Sequence, residues 1–165
     1  MSLPPDTHPL PELTVAAVVE LGGRFLLVEE RIDGRLVINQ PAGHVEYGET
    51  LHAAVVREVL EEAGCFFAPK ATLGAYLWAR PDGRAPYLRV AFSGTCSGTL
   101  EQRPLDTGIE RVLWLSRSEL VARSSRLRSP MVLRAVDDYV RGLRQPVDVF
   151  EGLPLGQLTL RAAVL

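Results

Sequence analysis

The stretch "GHVEYGETLHAAVVREVLEEAGC", residues 43–65, decides how this chain folds. Thr50 is a typical helix N-cap and Gly64 a typical C-terminal stop, so the sequence predicts a helix over residues 51–63. Apolar side chains recur along this segment at the spacing of one helical stripe, which predicts that this face packs on the core. The stripe consists of Leu51, Val55, Val59 and Ala63.

Three carboxylates share another face of the predicted helix. Glu58, Glu61 and Glu62 stand at positions i, i+3 and i+4, so all three project from one side. Like charges at this spacing destabilise a helix by about 0.2–0.5 kcal/mol per pair, and Arg57 neutralises only part of the repulsion. A hard divalent cation held by carboxylate oxygens would resolve the conflict. For the three glutamates taken alone, a solvated acidic face is the alternative.

The spacing around these glutamates is more specific than the cluster itself. From Gly43 to Gly64 the chain reads G-x5-E-x7-R-E-x-x-E-E-x-G, with apolar Val59 and Cys65 at the remaining defining positions. At average residue usage an accidental match has odds on the order of 10⁻⁷. The segment resembles the Nudix box, and through it the chain is identified as a member of the Nudix hydrolase family.

That resemblance implies a fold and an activity. Members of the family are α/β/α sandwiches with a mixed sheet, a fold of the α+β class in our reading, and the box forms a strand–loop–helix–loop unit. The implied reaction is hydrolysis of a diphosphate linked to another moiety, assisted by Mg²⁺ with Mn²⁺ as the alternative. Cations suit this reaction because they neutralise the phosphate charge that repels an incoming hydroxide.

The resemblance also implies which box residues hold the metal. Glu58 and Glu62 are expected to be the main ligands, with Glu61 beside them. Gly43 is expected to allow a backbone turn that is barred to residues with a Cβ atom, and to offer its carbonyl to the metal.

Two further box residues are expected to orient this cluster. By analogy with the family, Glu49 pairs with Arg57, and the pair positions Glu58. Together with the glutamates, these two residues complete the catalytic set that the box implies.

The box does not specify the general base. Many Nudix enzymes place an acidic residue six positions before the tryptophan that follows the box, and with Trp114 as that tryptophan the position holds Gly108. Asp106 and Glu110 flank it as substitutes, and we include Glu110 among the expected catalytic residues. An ordinary position on a surface strand is the alternative for Glu110.

Candidate substrate contacts lie near the box and on the strands after it. Gln40 and His44 bracket the start of the box, although a solvated loop residue is the alternative for His44. Trp78 and Tyr76 would stack on a purine or pyrimidine ring, with core packing as the alternative. Arg89 alternates with apolar neighbours and is a candidate phosphate contact.

Two weaker signals lie outside this set. Arg123, Arg126 and Arg128 form a basic cluster that would hold an anion, with solvent exposure as the alternative. Pro81 lies sixteen residues past the box, a spacing associated with ADP-ribose pyrophosphatases. The run 81–83 also predicts a hairpin turn, and we favour the turn.

Three segments narrow the resemblance within the family. "VEE" at 28–30, "NQPAGH" at 39–44 and "LRSP" at 127–130 are similar to NudJ-type phosphatases, over roughly residues 12–150. Enzymes of that branch act on hydroxymethylpyrimidine diphosphate, thiamin diphosphate and nucleoside di- and triphosphates. The alternatives are a pyrophosphatase for ADP-ribose or an oxidised nucleotide, and a non-catalytic nucleotide-sensing domain.

Strand and helix signals flank the box on both sides. Apolar, β-branched runs predict two strands joined at Gly22-Gly23, and a short third strand ending at Pro41. With the later elements, this order predicts an α+β domain whose helices pack on a sheet. Three later strands are expected near 71–80, near 86–96 and over "ERVLWLS". Two later helices are expected, a short one that begins at a capping box of Ser116 with Glu119 and a longer one from Ser129-Pro130 to about Gly142.

Composition limits the classes of partner. The chain has 165 residues, of which 47% are hydrophobic and 23% charged, enough to build one core. Its net charge of −2 argues against a protein that binds nucleic acid or a membrane surface. We expect a small phosphorylated substrate, no nucleic-acid or membrane partner, and a monomer or homodimer.

The ends of the chain and its cysteines complete the expectations. Residues 1–11 read as a flexible Pro-rich lead-in without a signal peptide, 12–150 as the Nudix domain, and 151–165 as an apolar C-terminal tail. Cys65 and Cys96 have no CxxC spacing, which predicts free thiols in a reducing cytoplasm.

Overall fold

The computed structural model describes residues 9–98 and 104–150. Residues 1–8 of the expected lead-in and the whole expected tail, 151–165, lie outside the described residues. None of the helices within the described ranges is long and apolar enough to cross a membrane. The elements, in chain order, are β1 (Glu12–Leu21), β2 (Arg24–Ile32), β3 (Arg35–Asn39), β4 (Ala42–His44), α1 (Leu51–Ala63), β5 (Phe66–Trp78), β6 (Tyr87–Ser97), β7 (Ile109–Ser116), α2 (Arg117–Ala122), a 3₁₀ turn (Ser124–Arg126) and α3 (Pro130–Val140).

The box helix α1 begins and ends where the sequence predicts. The Thr50 hydroxyl accepts a hydrogen bond of 3.1 Å from the backbone N–H of Ala53, which satisfies one of the free donors of the first turn. Gly64 adopts a left-handed φ of 65°, and its N–H donates to the Leu60 carbonyl at 3.1 Å. The helix is therefore fixed at both ends by its own sequence.

The sheet is mixed, and β1 lies at its centre. The strand order is β3-β2-β1-β6-β5, while β4 pairs with β1 and β7 pairs with β2. Strands β1 and β6 run parallel, and each of the other pairs is antiparallel. The central strand alternates between two cores: Val15 and Val19 pack towards α1, while Val18 packs towards α2 and α3. Helices thus cover both faces, which confirms the predicted α/β/α sandwich with a mixed sheet.

The segment after β2 differs from its prediction. A single short strand ending at Pro41 was expected, but β3 ends at Asn39 and a separate strand, β4, begins at Ala42. The two strands have different partners, since β3 pairs with β2 and β4 pairs with β1. Pro41 lies between them and its carbonyl accepts from the Ala17 N–H at 3.0 Å, so the chain crosses from one pairing to the other there.

Strand β5 is longer than predicted, and its turn is as predicted. It begins at Phe66, ahead of the expected start near 71, because the ladder shifts register between Pro69 and Ala71 and so accommodates the proline.

The turn to β6 is closed by the Gly83 N–H, which donates to the Arg80 carbonyl at 3.2 Å. The expectation of a hairpin turn at 81–83 is confirmed.

Candidate active site

A cleft of about 410 Å³ opens where α1 meets β4 and β1. Strand β4 pairs with β1 through three residues, which holds the start of the box against the centre of the sheet. Helix α1 brings its acidic face to the same place. The box residues that line the cleft are Gly43, His44, Glu46, Arg57, Glu58, Glu61 and Glu62.

The Arg57 guanidinium joins the box into one network. It binds Glu49 with two hydrogen bonds, from Nε at 2.7 Å and from Nη2 at 3.0 Å. Its Nη1 donates to Glu58 at 2.7 Å and to Glu61 at 3.0 Å, and Nη2 also reaches the His44 carbonyl at 3.0 Å. The hydrogen bonds that Arg57 donates to Glu49, and then to Glu58, raise its pKa. The expected contact of Arg57 with both Glu49 and Glu58 is present.

Glu58 and Glu62 are buried carboxylates, each only 7% exposed. Burial raises the pKa of Glu62 to about 8, against a 2.9 Å hydrogen bond from the Ala42 N–H and with further upward shifts from nearby carboxylates. Burial likewise raises the pKa of Glu58. Both groups carry a negative charge only at a cost in this environment, a cost that a bound cation would offset.

Gly43 is required here for a reason other than the expected one. It lies within β4, paired with Val15, and its φ is not positive, so the expectation of a turn barred to other residues is wrong. A Cβ atom at this position would lie 2.1–2.4 Å from the carboxylate of Glu58. A residue with a Cβ atom would therefore displace the Glu58 carboxylate from the position it has beside β4.

These residues fit a hard divalent cation in donor type and in charge. Glu58, Glu61 and Glu62 offer carboxylate oxygens, the donors that Mg²⁺ and Mn²⁺ prefer, and burial of Glu62, which raises its pKa, makes its charged form costly without a counter-ion. Across residues 9–98 and 104–150, no group of three or more acidic, His or Cys side chains has the geometry to hold a metal ion as it stands. In this structure Arg57 takes up oxygens of Glu58 and Glu61 instead.

The two candidates for the general base lie in different places. Asp106 lines the cleft, and its N–H donates to the Glu61 carbonyl at 2.9 Å, which ties this loop to α1. Glu110 does not line the cleft and pairs with Arg31 at 2.8 Å on the surface. The structure therefore brings Asp106 to the box carboxylates and leaves Glu110 away from them.

Arg89 lines the cleft, together with polar residues that no motif of the sequence predicts there. Arg89 is 5% exposed and donates from Nη1 to Asn39 at 3.2 Å, and burial lowers its pKa to about 10. Its Nε and the Thr14 hydroxyl have no hydrogen-bond partner among the described residues. Glu30, which accepts from Asn39 at 3.2 Å, completes this wall. Glu30 and Asn39 lie in "VEE" and "NQPAGH", but nothing in those segments marked them as site residues.

His44 and Trp78 differ in their relation to the cleft. His44 lines it, with Nε2 lying 2.7 Å from a carboxylate oxygen of Glu12. Trp78 does not line it and stacks instead on Tyr87, with ring centroids 6.2 Å apart and planes inclined by 17°. Tyr87 is the aromatic residue that lines the cleft.

Gln40 and Tyr76 are not brought to the cleft. Gln40 is buried and does not line the cleft, and its amide donates to the Val132 carbonyl on α3 at 2.7 Å. The Tyr76 hydroxyl donates to Asp138 at 2.8 Å on the same side of the sheet. Both side chains instead attach α3 to the sheet.

The three arginines of the basic cluster point to three different partners. Arg128 lines the cleft. Arg126 pairs with the buried carboxylate of Glu29, and Arg123 donates to the Glu119 carbonyl at 3.1 Å. Arg128 is therefore the member of this cluster that lies at the cleft, where its Nε is 3.9 Å from a carboxylate oxygen of Glu30.

The chain is similar to known proteins over most of its length. A family model described as the NUDIX domain matches residues 10–135. Phosphatase NudJ of Escherichia coli strain K12 is 39% identical over 139 residues, which cover 84% of this chain and 90% of that protein. A solved NUDIX hydrolase from Nitrosomonas europaea has a TM-score of 0.84 and 42% identity, covering 87% of this chain and 97% of its own. A MutT NUDIX hydrolase from Burkholderia pseudomallei, at 20% identity and a TM-score of 0.66, shares the fold over 78% of this chain and 97% of its own.

Proposed function

Because this chain belongs to the Nudix family of hydrolases acting on phosphorus anhydrides, we propose that it is a magnesium-dependent phosphatase of small diphosphate esters. The proposed substrates are hydroxymethylpyrimidine diphosphate, thiamin diphosphate and nucleoside di- and triphosphates, with orthophosphate as the product. One observation carries the proposal: the box carboxylates and the buried guanidinium of Arg89 line the same cleft. The likeness to relatives named Phosphatase NudJ supports the choice of substrates.

Glu58, Glu61 and Glu62, with the Gly43 carbonyl, are the groups proposed to hold the cation, which is Mg²⁺ with Mn²⁺ as the alternative. A divalent cation supplies charge neutralisation at the phosphate oxygens and lowers the pKa of the water that it carries. Arg57 donates hydrogen bonds to Glu58 and Glu61 at 2.7 and 3.0 Å, so the cluster is oriented before substrate arrives.

Arg89 and Arg128 are proposed to bind the phosphates. The buried Nε of Arg89 is a donor without a partner among the described residues, and leaving such a donor unpaired costs free energy. A phosphate oxygen would satisfy it with a charge-assisted hydrogen bond. Asn39 fixes the orientation of this guanidinium, and the unpaired Thr14 hydroxyl supplies a further donor nearby.

Asp106 is proposed to take the proton of the attacking water, in place of Glu110. The water oxygen forms a bond to the terminal phosphorus, and the bond from that phosphorus to the bridging oxygen breaks. Orthophosphate leaves, and the bridging oxygen stays on the remaining phosphate ester. A positioned carboxylate in this role typically contributes about 10²–10⁴-fold to the rate.

A phosphate-release assay with Glu62→Gln tests the proposal. Wild-type protein is incubated with hydroxymethylpyrimidine diphosphate, thiamin diphosphate, ADP and ADP-ribose, in EDTA and then with Mg²⁺ or Mn²⁺. We expect metal-dependent orthophosphate release that Glu62→Gln abolishes while its circular dichroism stays that of wild type. Wild-type rates in Glu62→Gln would refute the metal site, and AMP from ADP-ribose as the main product would refute the substrate class.

A further inference from the structure

A second groove of about 630 Å³ lies beside the catalytic cleft, between the end of β5 and the start of α3. Its lining is largely apolar, in contrast to the acidic cleft. The apolar side chains that line it are Trp78, Pro81, Leu127, Pro130 and Leu133.

We propose that this groove binds the aromatic heterocycle of the substrate while the diphosphate occupies the catalytic cleft. The inference rests on the proposed function, since it assumes that the cleft holds a diphosphate. It adds the location of the ring and the residues that select for it.

Arg128 lines both cavities, so they are direct neighbours. The backbone N–H of Arg128 donates to the Ile38 carbonyl at 2.8 Å, so this junction is anchored to β3. A ligand spanning the junction places its phosphates on the side of Glu58 and its uncharged end on the side of Leu133. The shared guanidinium would contact such a ligand where its charged part ends.

Trp78 gives the groove an aromatic wall that is already held in place. Its ring stacks on Tyr87, and the Arg80 guanidinium lies 4.8 Å from the centroid of the Tyr87 ring. Because Tyr87 lines the cleft and Trp78 lines the groove, this stacked pair, like Arg128, contacts both cavities. A planar heterocycle packs on such a wall with little loss of side-chain entropy.

Ser129 supplies a polar group in an otherwise apolar lining. It occupies the N-cap position of α3, but its hydroxyl makes no capping hydrogen bond. The residue is 4% exposed and lines the groove, and the hydroxyl has no partner anywhere in the described parts of the chain. Small-molecule sites typically combine apolar walls with a few such polar groups, which orient the ligand. A ring nitrogen or exocyclic group would pair with this hydroxyl.

The charged residues of the groove argue for a ring rather than a second phosphate. Arg134 pairs with Asp138 at 3.0 Å, and Asp137 pairs with Arg117. These side chains already have partners of opposite charge, whereas the ion pair of Arg128 with Glu30 is long, at 3.9 Å, and Arg128 is the cation placed between cleft and groove. The groove thus offers area for apolar contact rather than a binding site for an anion.

Leu133→Trp and Ser129→Ala test the inference through the choice of substrate. Steady-state kinetics are measured with hydroxymethylpyrimidine diphosphate and with methyl diphosphate, which has no ring. Filling the groove in Leu133→Trp should raise KM for the heterocyclic substrate by about 10-fold or more, with kcat within about twofold. Ser129→Ala should raise it by about 3- to 10-fold, the scale of one lost hydrogen bond. Neither variant should change KM for methyl diphosphate.

Val140→Trp is the matched control, since Val140 is an exposed residue of the same helix and does not line the groove. It should keep wild-type constants for both substrates. An unchanged KM for the heterocyclic substrate in both groove variants, or an equal rise for both substrates, would overturn the inference. Ser129→Ala keeps the test decisive if Leu133→Trp does not fold.

A binding measurement separates this inference from the proposed function. Thiamin monophosphate is titrated calorimetrically into wild type and Leu133→Trp in EDTA, where no turnover is needed. Loss of binding in Leu133→Trp supports the groove even if wild type hydrolyses no diphosphate. Equal binding by the two proteins, or no binding by wild type, contradicts it.

Discussion

At the scale of single residues, Asp106 and Glu110 are the most informative pair. The sequence offers both as replacements for an acid at Gly108, and their side chains are chemically close. The chain bends at Gly108, which has a φ of 95° and whose carbonyl accepts from the Arg31 N–H at 2.8 Å. Asp106 therefore lies before the bend and faces the cleft, whereas Glu110 lies after it and is directed towards Arg31.

Replacing each acid by its amide provides the first prediction. Asp106→Asn keeps the shape of the side chain but removes the proton acceptor, so kcat should fall by about 10²–10⁴-fold. Glu110→Gln is the control and should keep kcat within about twofold, because it loses only an exposed ion pair. Steady-state phosphate release measures both. A fall in Glu110→Gln without one in Asp106→Asn would return the role to Glu110.

The residue scale also shows where prediction from sequence reaches its limit. The spacing of the box was sufficient to name the carboxylates, because the helix that carries them has a fixed period. It was not sufficient to identify Asn39, and Gln40 was expected at the cleft instead. These neighbours lie at the end of β3, where the chain leaves one pairing for another, and the local turn directs Asn39 into the cleft and Gln40 towards α3.

At the scale of elements, the loop between β4 and α1 is held mainly by one side chain. Arg57 extends from α1 to Glu49 in that loop and to the carbonyl of His44 in β4. The fork of the guanidinium makes these contacts at the same time as it holds Glu58 and Glu61. An ammonium group at the same position has no fork and cannot reproduce this geometry.

Arg57→Lys is accordingly expected to impair catalysis although it preserves charge. Loss of the paired hydrogen bonds to Glu49 should let the acidic cluster shift, and a displacement of about 1 Å at a catalytic group costs up to about 10²-fold. We expect the loss mainly in kcat. Arg117→Lys, at an exposed pair with Asp137, is the matched control and should behave as wild type in the same assay. Equal rates for all three proteins would show that the fork is dispensable.

Element boundaries were predictable where capping chemistry determines them. Thr50 and Gly64 bound α1, and the Ser116–Glu119 capping box begins α2, as the sequence indicates. Strand β4 was missed because three residues are too few to show a period, and its partner β1 is distant in sequence. The early start of β5 was missed because Pro69 normally ends a strand, while the register shift that tolerates it depends on β6.

At the scale of the whole molecule, the acidic cleft opposes stability of the fold. The pKa of Glu62 rises from 4.5 to about 8 in the folded protein, so between these values the folded state binds more protons than the unfolded state. The free energy of unfolding must then decrease as pH rises through this window. The contribution from Glu62 is fully present below pH 4.5 and is lost above pH 8.

Thermal unfolding in EDTA at pH 5.5 and pH 8 should reveal this dependence. We expect wild type to lose melting temperature on going to pH 8, and Glu62→Gln to lose less, because its amide carries no charge to desolvate. Adding Mg²⁺ at pH 8 should raise the melting temperature of wild type and have little effect on the variant, since a ligand stabilises only the protein that binds it. A variant with the pH dependence of wild type would contradict the assignment to Glu62.

The overall architecture followed from the sequence largely through the Nudix box. Apolar alternation in β1 and capping around α1 indicate an α+β domain, but they do not specify which strands are neighbours. The parallel pairing of β1 with β6 joins residues more than seventy positions apart, from Glu12 with Tyr87 to Val19 with Gly94. Such pairings depend on the packing of both cores at once, which no local pattern reports.

The position of β1, in contact with β2, β4 and β6, has a consequence for how the molecule opens. Backbone amide hydrogens in a central, fully covered strand exchange with solvent only through rare global unfolding, whereas those of edge strands exchange through frequent local opening. Thr14 and the partner of Gly43, Val15, belong to this protected strand. The part of the cleft formed by β1 should therefore stay folded during local opening of the edge strands and be lost only on global unfolding.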